Sequence, residues 1–194
     1  MQQLLKRIHF SLRMLHRYRH ALAKIYHSSP RHLRLDQISI ATLKGVAVLV
    51  LDFDGVLAAH GEPEPAEELV PWLEACINSF GPKQVFILSN KPLESRIAYF
   101  KRYGVRCIVD VKKKPYPDGL QKIIALSGQP AEAVMLVDDR LLTGALAACI
   151  AQVSVTYITH PIVLLSKRPV SELFFMTLRF WERRLISLYS RLCH

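Results

Sequence analysis

Five short runs rich in Val and Ile recur along the middle of the chain, at 46–51, 85–88, 107–109, 134–137 and 153–158. Between them lie helix-spaced apolar patterns at about 66–79, 92–103, 117–126 and 141–151. Strand-length runs alternating with helical ones imply βαβ units, a parallel sheet and helices on both of its faces. The expected fold is a three-layer α/β domain around a central sheet of about five strands. Sheets of this kind bind ligands beyond the carboxyl ends of their strands, so the residues that follow each run are the ones to read for chemistry.

After the first run stands Asp52-Phe-Asp54-Gly55. Two carboxylates two residues apart at a strand end suit a shared divalent cation. One of them can attack phosphorus, and the other can pass a proton to a leaving group and then activate water. Alone, the pair reads equally as two turn-forming acids that end a strand. After the second run stands Ser89-Asn90, a hydroxyl and successive backbone N–H groups suited to phosphate oxygens. Lys112-Lys113-Lys114-Pro115 follows the third run. Lys114 is placed to neutralise phosphate and carboxylate charge, and Lys112 and Lys113 read as a solvated loop. After the fourth run, Asp138-Asp139-Arg140 adds carboxylates for a hard cation such as Mg²⁺.

Acid pair, hydroxyl, lysine and acid pair, each behind a successive strand, resemble the haloacid dehalogenase (HAD) superfamily over about residues 46–160. The resemblance implies a HAD-like Rossmannoid fold, Mg²⁺ as cofactor and phosphoryl transfer through an aspartyl-phosphate. It makes Asp52 the nucleophile and Asp54 the general acid/base. Ser89, Asn90 and Lys114 become the phosphate-binding residues, and Asp52, Asp54, Asp138 and Asp139 the metal site. A narrower resemblance rests on Ser89-Asn90-Lys91 with Arg96, on Lys114-Pro115 and Pro117, on Asp139 with Thr143, and on Pro161-Ile162. These are similar to the phosphatidylglycerophosphate phosphatase branch of subfamily IIIA, which has bacterial and mitochondrial members. Thr177, Arg179 and Glu182 echo that branch's C-terminal segment. The branch implies a hydrolase of phospholipid biosynthesis that removes the terminal phosphate of phosphatidylglycerophosphate. The fourth motif departs from the branch, with Asp138 where it has glycine, Arg140 where it has glutamine and Gly144 where it has an acid. Asp138 is the available replacement for the carboxylate missing at Gly144.

Only 34 residues separate Asp54 from Ser89, and 24 separate Ser89 from Lys114. Neither gap holds a large cap domain once a helix and a strand are placed, so an open site is expected.

Charge divides the 194 residues into three parts. Residues 1–35 carry eight Lys/Arg and no acid, and 166–194 carry six Lys/Arg and two acids. The remaining 12 basic and 14 acidic residues lie in 36–165, so the net +10 belongs to the ends. The expected organisation is a basic amphipathic N-terminal helix (1–35), a HAD-like phosphatase domain (36–165) and a basic amphipathic C-terminal helix (166–194). In the first, Leu5, Ile8, Leu12, Leu15, Leu22 and Ile25 share a stripe. In the last, Leu178, Trp181, Leu185, Leu188 and Leu192 repeat at 3-4 spacing. Basic amphipathic helices lie in membrane interfaces, where each Lys or Arg contributes on the order of 1 kcal/mol on an anionic surface. Packing on the core or on a partner protein is the alternative. No aromatic-basic RNA motif accompanies the basic ends, and no nucleic-acid partner is expected.

Residues 141–166 contain no charged side chain but are broken by Gly144, Gln152, Ser154, Thr156, Thr159, His160 and Pro161. They read as a buried helix and strand rather than a membrane span. Cys76, Cys107, Cys149 and Cys193 are widely spaced and read as reduced thiols. The Arg-rich start lacks the pattern of a secretory signal and overlaps in composition with mitochondrial transit peptides. The expected location is cytoplasmic and peripheral, on the inner face of the cytoplasmic membrane, or on the matrix side of a mitochondrion in a eukaryote. His60 reads as a surface or structural residue. Three functions follow: a phosphatase acting on an anionic phospholipid at a membrane surface, a phosphatase of soluble esters or phosphoproteins, or a catalytically weak relative that binds a membrane or partner.

Overall fold

The computed structural model describes residues 2–43 and 45–192, with side chains described from 8 to 189 apart from residue 44. Leu5 and Leu192 of the two apolar stripes therefore lie outside the described side chains, as does Cys193. The other three cysteines are free thiols.

Five strands form one parallel sheet: β1 (Val48–Leu51), β2 (Val85–Ile87), β3 (Arg106–Cys107), β4 (Val134–Asp138) and β5 (Ser154–Tyr157). Their spatial order is β3-β2-β1-β4-β5. β1 is central, pairing Leu49 with Val85 on one side and with Met135 on the other. All four β1 residues are buried, as a strand covered on both faces requires. Side chains alternate along it. Leu49 and Leu51 pack with Leu73 and Cys76 of α2 (Val70–Phe80) and Phe100 of α3 (Glu94–Lys101). Val48 and Val50 pack with Leu120 and Ile123 of α4 (Asp118–Ser127) and Ala147 and Ala148 of α5 (Leu146–Ala151). The alternation of runs in the sequence thus becomes a layered α/β fold, with the element types in the expected places. Pro71 lies in the first turn of α2, where its missing N–H breaks no helical bond.

Between β1 and α2 the chain makes only a turn-rich loop, so no cap domain covers the strand ends among the described residues. No helix among them is long and apolar enough to cross a membrane.

The two terminal helices are α1 (Gln2–Ser28) and α6 (Pro169–Leu192). Leu15, Leu22 and Ala23 of α1 are buried with Leu141, Leu146, Tyr157 and Ile186. Part of the N-terminal stripe therefore packs on the α/β body, while Ile8 and Leu12 remain exposed. His16 Nδ1 and the Tyr189 hydroxyl share a 2.6 Å hydrogen bond that ties α1 to α6. A π-helical turn at Leu141–Ala145 leads from the β4 loop into α5. Such turns often mark functional sites, because the extra residue re-aims the backbone.

Candidate active site

The C-terminal ends of β1 and β4 are neighbours, so Asp52 follows one strand while Asp138 ends the other. Lys114, from the loop between β3 and α4, inserts its Nζ between them. It stands 3.0 Å from Asp52 Oδ1 and 2.5 Å from Asp138 Oδ2. The lysine is 3% exposed, and Asp138 and Asp139 are fully buried. Burial costs the ammonium its hydration, but the two carboxylates outweigh that loss and raise its pKa. Asp52 is pushed well above the usual carboxylate range by burial, opposed by Lys114 and reinforced by the Asp138 and Asp139 charges.

Asp139 turns to α6. Arg179 Nε donates to Asp139 Oδ2 at 2.5 Å, and Nη2 is equally close. Burial raises the Asp139 carboxyl to about 6 in spite of the arginine. Its other oxygen, Oδ1, is buried and has no hydrogen-bond partner in the fold. One carboxylate oxygen from each of Asp52, Asp138 and Asp139 lies within 4.8 Å of the others. Three hard oxygen donors, one of them unsatisfied, fit a small divalent cation such as Mg²⁺.

Asp54 lines the same cleft, but its carboxylate points elsewhere. Arg96, 1% exposed, donates from Nη2 to Oδ1 at 2.7 Å and from Nη1 to Oδ2 at 3.0 Å. Gly61 N donates to Oδ1 at 3.0 Å. Burial by itself raises this carboxyl, and the bonds from Arg96 and Gly61 reverse the sign, leaving it below the usual range. Arg96 is itself held by Glu62 O and Lys91 O, and its guanidinium lies 3.8 Å from the Phe53 ring centroid. Ser89 donates to Asp54 Oδ2 at 3.4 Å. Asn90 clamps the lysine loop: its Oδ1 accepts from Lys114 N at 2.7 Å and its Nδ2 donates to Lys114 O.

Gly55 makes the close approach of loop and helix possible. Its φ of +86° lies in the left-handed region. A Cβ there would collide with the Asp139 carboxylate and the Arg179 guanidinium. Gly144 has a steric role of another kind. A Cβ at 144 would overlap all three carboxylate atoms of Asp138. The Asp138 carboxylate therefore fills the space next to the position where the fourth motif lacks its acid.

The structure thus gathers Asp52, Asp138, Asp139 and Lys114 into one buried cluster. It puts Asp54 and Asn90 on the cleft beside it, and Ser89 against the Asp54 carboxylate. The cleft, about 210 Å³, is lined by Asp52, Asp54, His60, Asp139, Arg140 and Phe175 among others. Sequence reasoning did not place Arg96, His60 or the inward charges of α6 in the site. Glu182 pairs with Arg140 and accepts from Leu141 N. Glu172 accepts from His60 N at 3.0 Å, and its Oε2 is 3.4 Å from His60 Nδ1. His60 is buried rather than solvated, stacked on Phe175 at 3.7 Å, and burial and Arg179 lower its pKa to about 4. A signal for these was present: Glu172, Phe175, Arg179, Glu182 and Ile186 follow 3-4 spacing and share one face of α6.

Among curated proteins, none matches the chain. One solved crystal structure is similar at 16% identity and a TM-score of 0.48, over 77% of this chain and 86% of the other. The family model for haloacid dehalogenase-like hydrolases matches residues 5–149, which include Asp52, Asp54, Ser89, Lys114, Asp138 and Asp139. The chain belongs to the haloacid dehalogenase-like hydrolase family.

Proposed function

We propose that the protein is a magnesium-dependent phosphomonoesterase that converts phosphatidylglycerophosphate to phosphatidylglycerol at a membrane surface. The observation that carries the phosphatase reading is Lys114 Nζ held between Asp52 and Asp138 beside the unsatisfied oxygen of Asp139. Asp52 attacks phosphorus, a bond forms from its carboxylate oxygen, and the ester P–O bond breaks. In this reading Asp54 takes up a proton when it leaves the Arg96 pair that holds it ionised, and delivers it to the departing alkoxide. It then takes one from the water that cleaves the aspartyl-phosphate, and inorganic phosphate leaves. Ser89, Asn90 and Lys114 position the phosphoryl group. Asp52, Asp138 and Asp139, with the Asp54 main chain, would hold Mg²⁺, whose charge offsets that of the phosphoryl oxygens. The lipid assignment is supported by the resemblance of the Ser89-Asn90-Lys91, Lys114-Pro115 and C-terminal motifs, and by the absence of a cap over the cleft. Attachment is peripheral, at the inner face of the cytoplasmic membrane or its matrix-side equivalent.

The test is phosphate release from phosphatidylglycerophosphate in mixed micelles against a panel of soluble esters. Wild-type protein should prefer the lipid, chelation of Mg²⁺ should stop release, and Asp52→Asn should lower it at least 10³-fold, roughly the size of losing a nucleophile. Equal rates on soluble esters would favour the second reading, a phosphatase of soluble substrates, for which the cleft left without a cap domain among the described residues is the supporting feature. No release from any ester would leave a non-catalytic relative.

A further inference from the structure

Helix α6 carries two interleaved stripes, and the usual arrangement of an amphipathic helix is reversed. Its inward face holds Glu172, Arg179 and Glu182, all buried and all engaged with the site. Its outward face holds Val170, Phe174, Trp181 and Leu188, exposed by 81%, 58%, 64% and 63%. Leu173, Leu185, Met176 and Phe180 extend the same apolar surface. Trp181, Leu185, Leu188 and Tyr189 border an apolar groove of about 330 Å³. A contiguous exposed patch of this kind on a globular domain marks an interaction surface.

Charge identifies the occupant. Both acids of α6 point inward, so its outer surface carries no negative charge, while Arg168 and Arg184 are exposed at its edges. The neighbouring α1 has no acid at all and exposes Arg13, Arg17 and Lys24. An apolar band on a helix that, like its neighbour α1, exposes cations and no acid complements an anionic lipid interface. A second copy of the same face would set cation against cation. Tryptophan at the centre of the band suits the headgroup level, where its amphipathic ring is favoured.

We infer that the outward face of α6 is the surface by which the protein docks on an anionic bilayer, with Trp181 inserted among the headgroups. Arg168, just before the same helix, and Ser171 and Phe175 in its first turns line the cleft. The docked helix is therefore also one wall of the cleft. The inference rests on the membrane reading above and adds the face that makes the contact.

The chain has two tryptophans, and Trp72 is buried with its Nε1 donating to Ile38 O. In Trp72→Phe protein, Trp181 is the only emitter. Vesicles of phosphatidylglycerol and phosphatidylcholine should shift its emission to the blue, and vesicles of phosphatidylcholine alone should not. Wild-type protein should co-sediment with the anionic vesicles at least tenfold more tightly than with the neutral ones. The double variant Phe174→Glu, Trp181→Glu should lose that binding at least tenfold. Its hydrolysis of an aryl phosphate without vesicles should stay at the wild-type rate. An unchanged emission together with equal sedimentation of wild type and double variant would overturn the inference. So would concentration-dependent dimerisation that Trp181→Glu abolishes, or binding of this face to an acidic soluble protein without vesicle binding. None of these measurements uses phosphatidylglycerophosphate. Vesicle binding without its hydrolysis refutes the substrate assignment alone, and hydrolysis in detergent without vesicle binding refutes the docking alone.

Discussion

Replacing Gly144 by alanine should damage the protein in the wild-type background and help it when Asp138 is gone. Gly144 lies inside the π-helical turn before α5, with no positive φ, so alanine fits the backbone there. In a helix interior alanine is favoured over glycine by about 1 kcal/mol. The obstacle is the Asp138 carboxylate, whose nearest oxygen must retreat by about 1.5 Å before an alanine methyl reaches the ordinary 3.4 Å contact. That retreat breaks the 2.5 Å bond to Lys114 and the 2.9 Å bond from Arg140 N. Loss of one partner from a buried ion pair costs about 3–5 kcal/mol, so Gly144→Ala should destabilise by at least about 2 kcal/mol after the helical gain. In the phosphatase reading, a misplacement of about 1 Å beside the reacting groups should also lower turnover by about 100-fold. In an Asp138→Ala background the obstacle is absent, and Gly144→Ala should then be neutral or stabilising by up to about 1 kcal/mol. Urea unfolding of the four proteins measures the cycle, and aryl phosphate hydrolysis by the single Gly144→Ala variant measures the catalytic part. Equal costs of Gly144→Ala in the two backgrounds would falsify the steric coupling of 138 and 144.

Three further outcomes follow from the same structure. Arg96→Met leaves the Asp54 carboxylate largely buried without its bidentate partner, and should cost up to about 3–5 kcal/mol at pH 7. Asp54 is depressed in the fold, so this contribution is present above the ordinary carboxylate pKa and is lost as pH falls through the lower folded value. The difference between wild type and variant should therefore narrow in urea titrations run towards pH 3, and a gap that widens there refutes the assignment. Mg²⁺ at about 100 times its dissociation constant should raise wild-type stability by about 2.7 kcal/mol. Asp139→Asn should show no such shift in thermal melts, and a full shift would remove Asp139 from the metal site. Leu22→Ala, at a fully buried position of α1, should cost about 2–5 kcal/mol in chemical unfolding. A cost below about 0.5 kcal/mol would mean that α1 does not pack on the body in solution.

The layered fold was legible because its signals are local. Runs such as Val48–Leu51 are short and apolar throughout, which is what a strand covered on both faces demands. Placement of Asp52 and Asp138 at strand ends followed from those runs, and adjacency of the strands then brought the two acids together. The partners of those acids were less legible. Arg96 lies 42 residues beyond Asp54, on the exposed-looking helix α3, and nothing in its local sequence says that it turns inward.

The +10 charge of the chain, and its concentration at the two ends, belong to the sequence alone. So do the alternation of strands and helices and the order of the acid, hydroxyl and lysine motifs. Which stripe of α6 faces inward is a different kind of fact. Both Glu172-Phe175-Arg179-Glu182-Ile186 and the stripe through Trp181 and Leu188 obey helical spacing. A periodicity rule places apolar residues inside, and the fold does the opposite. Asp139, Arg140 and His60 already lie across the interface and need partners. A buried charge left unpaired costs more than an exposed leucine does. Only the tertiary arrangement of those three groups could decide the rotation of the helix. With it were decided the partners of the site's buried charges and the apolar surface turned towards solvent.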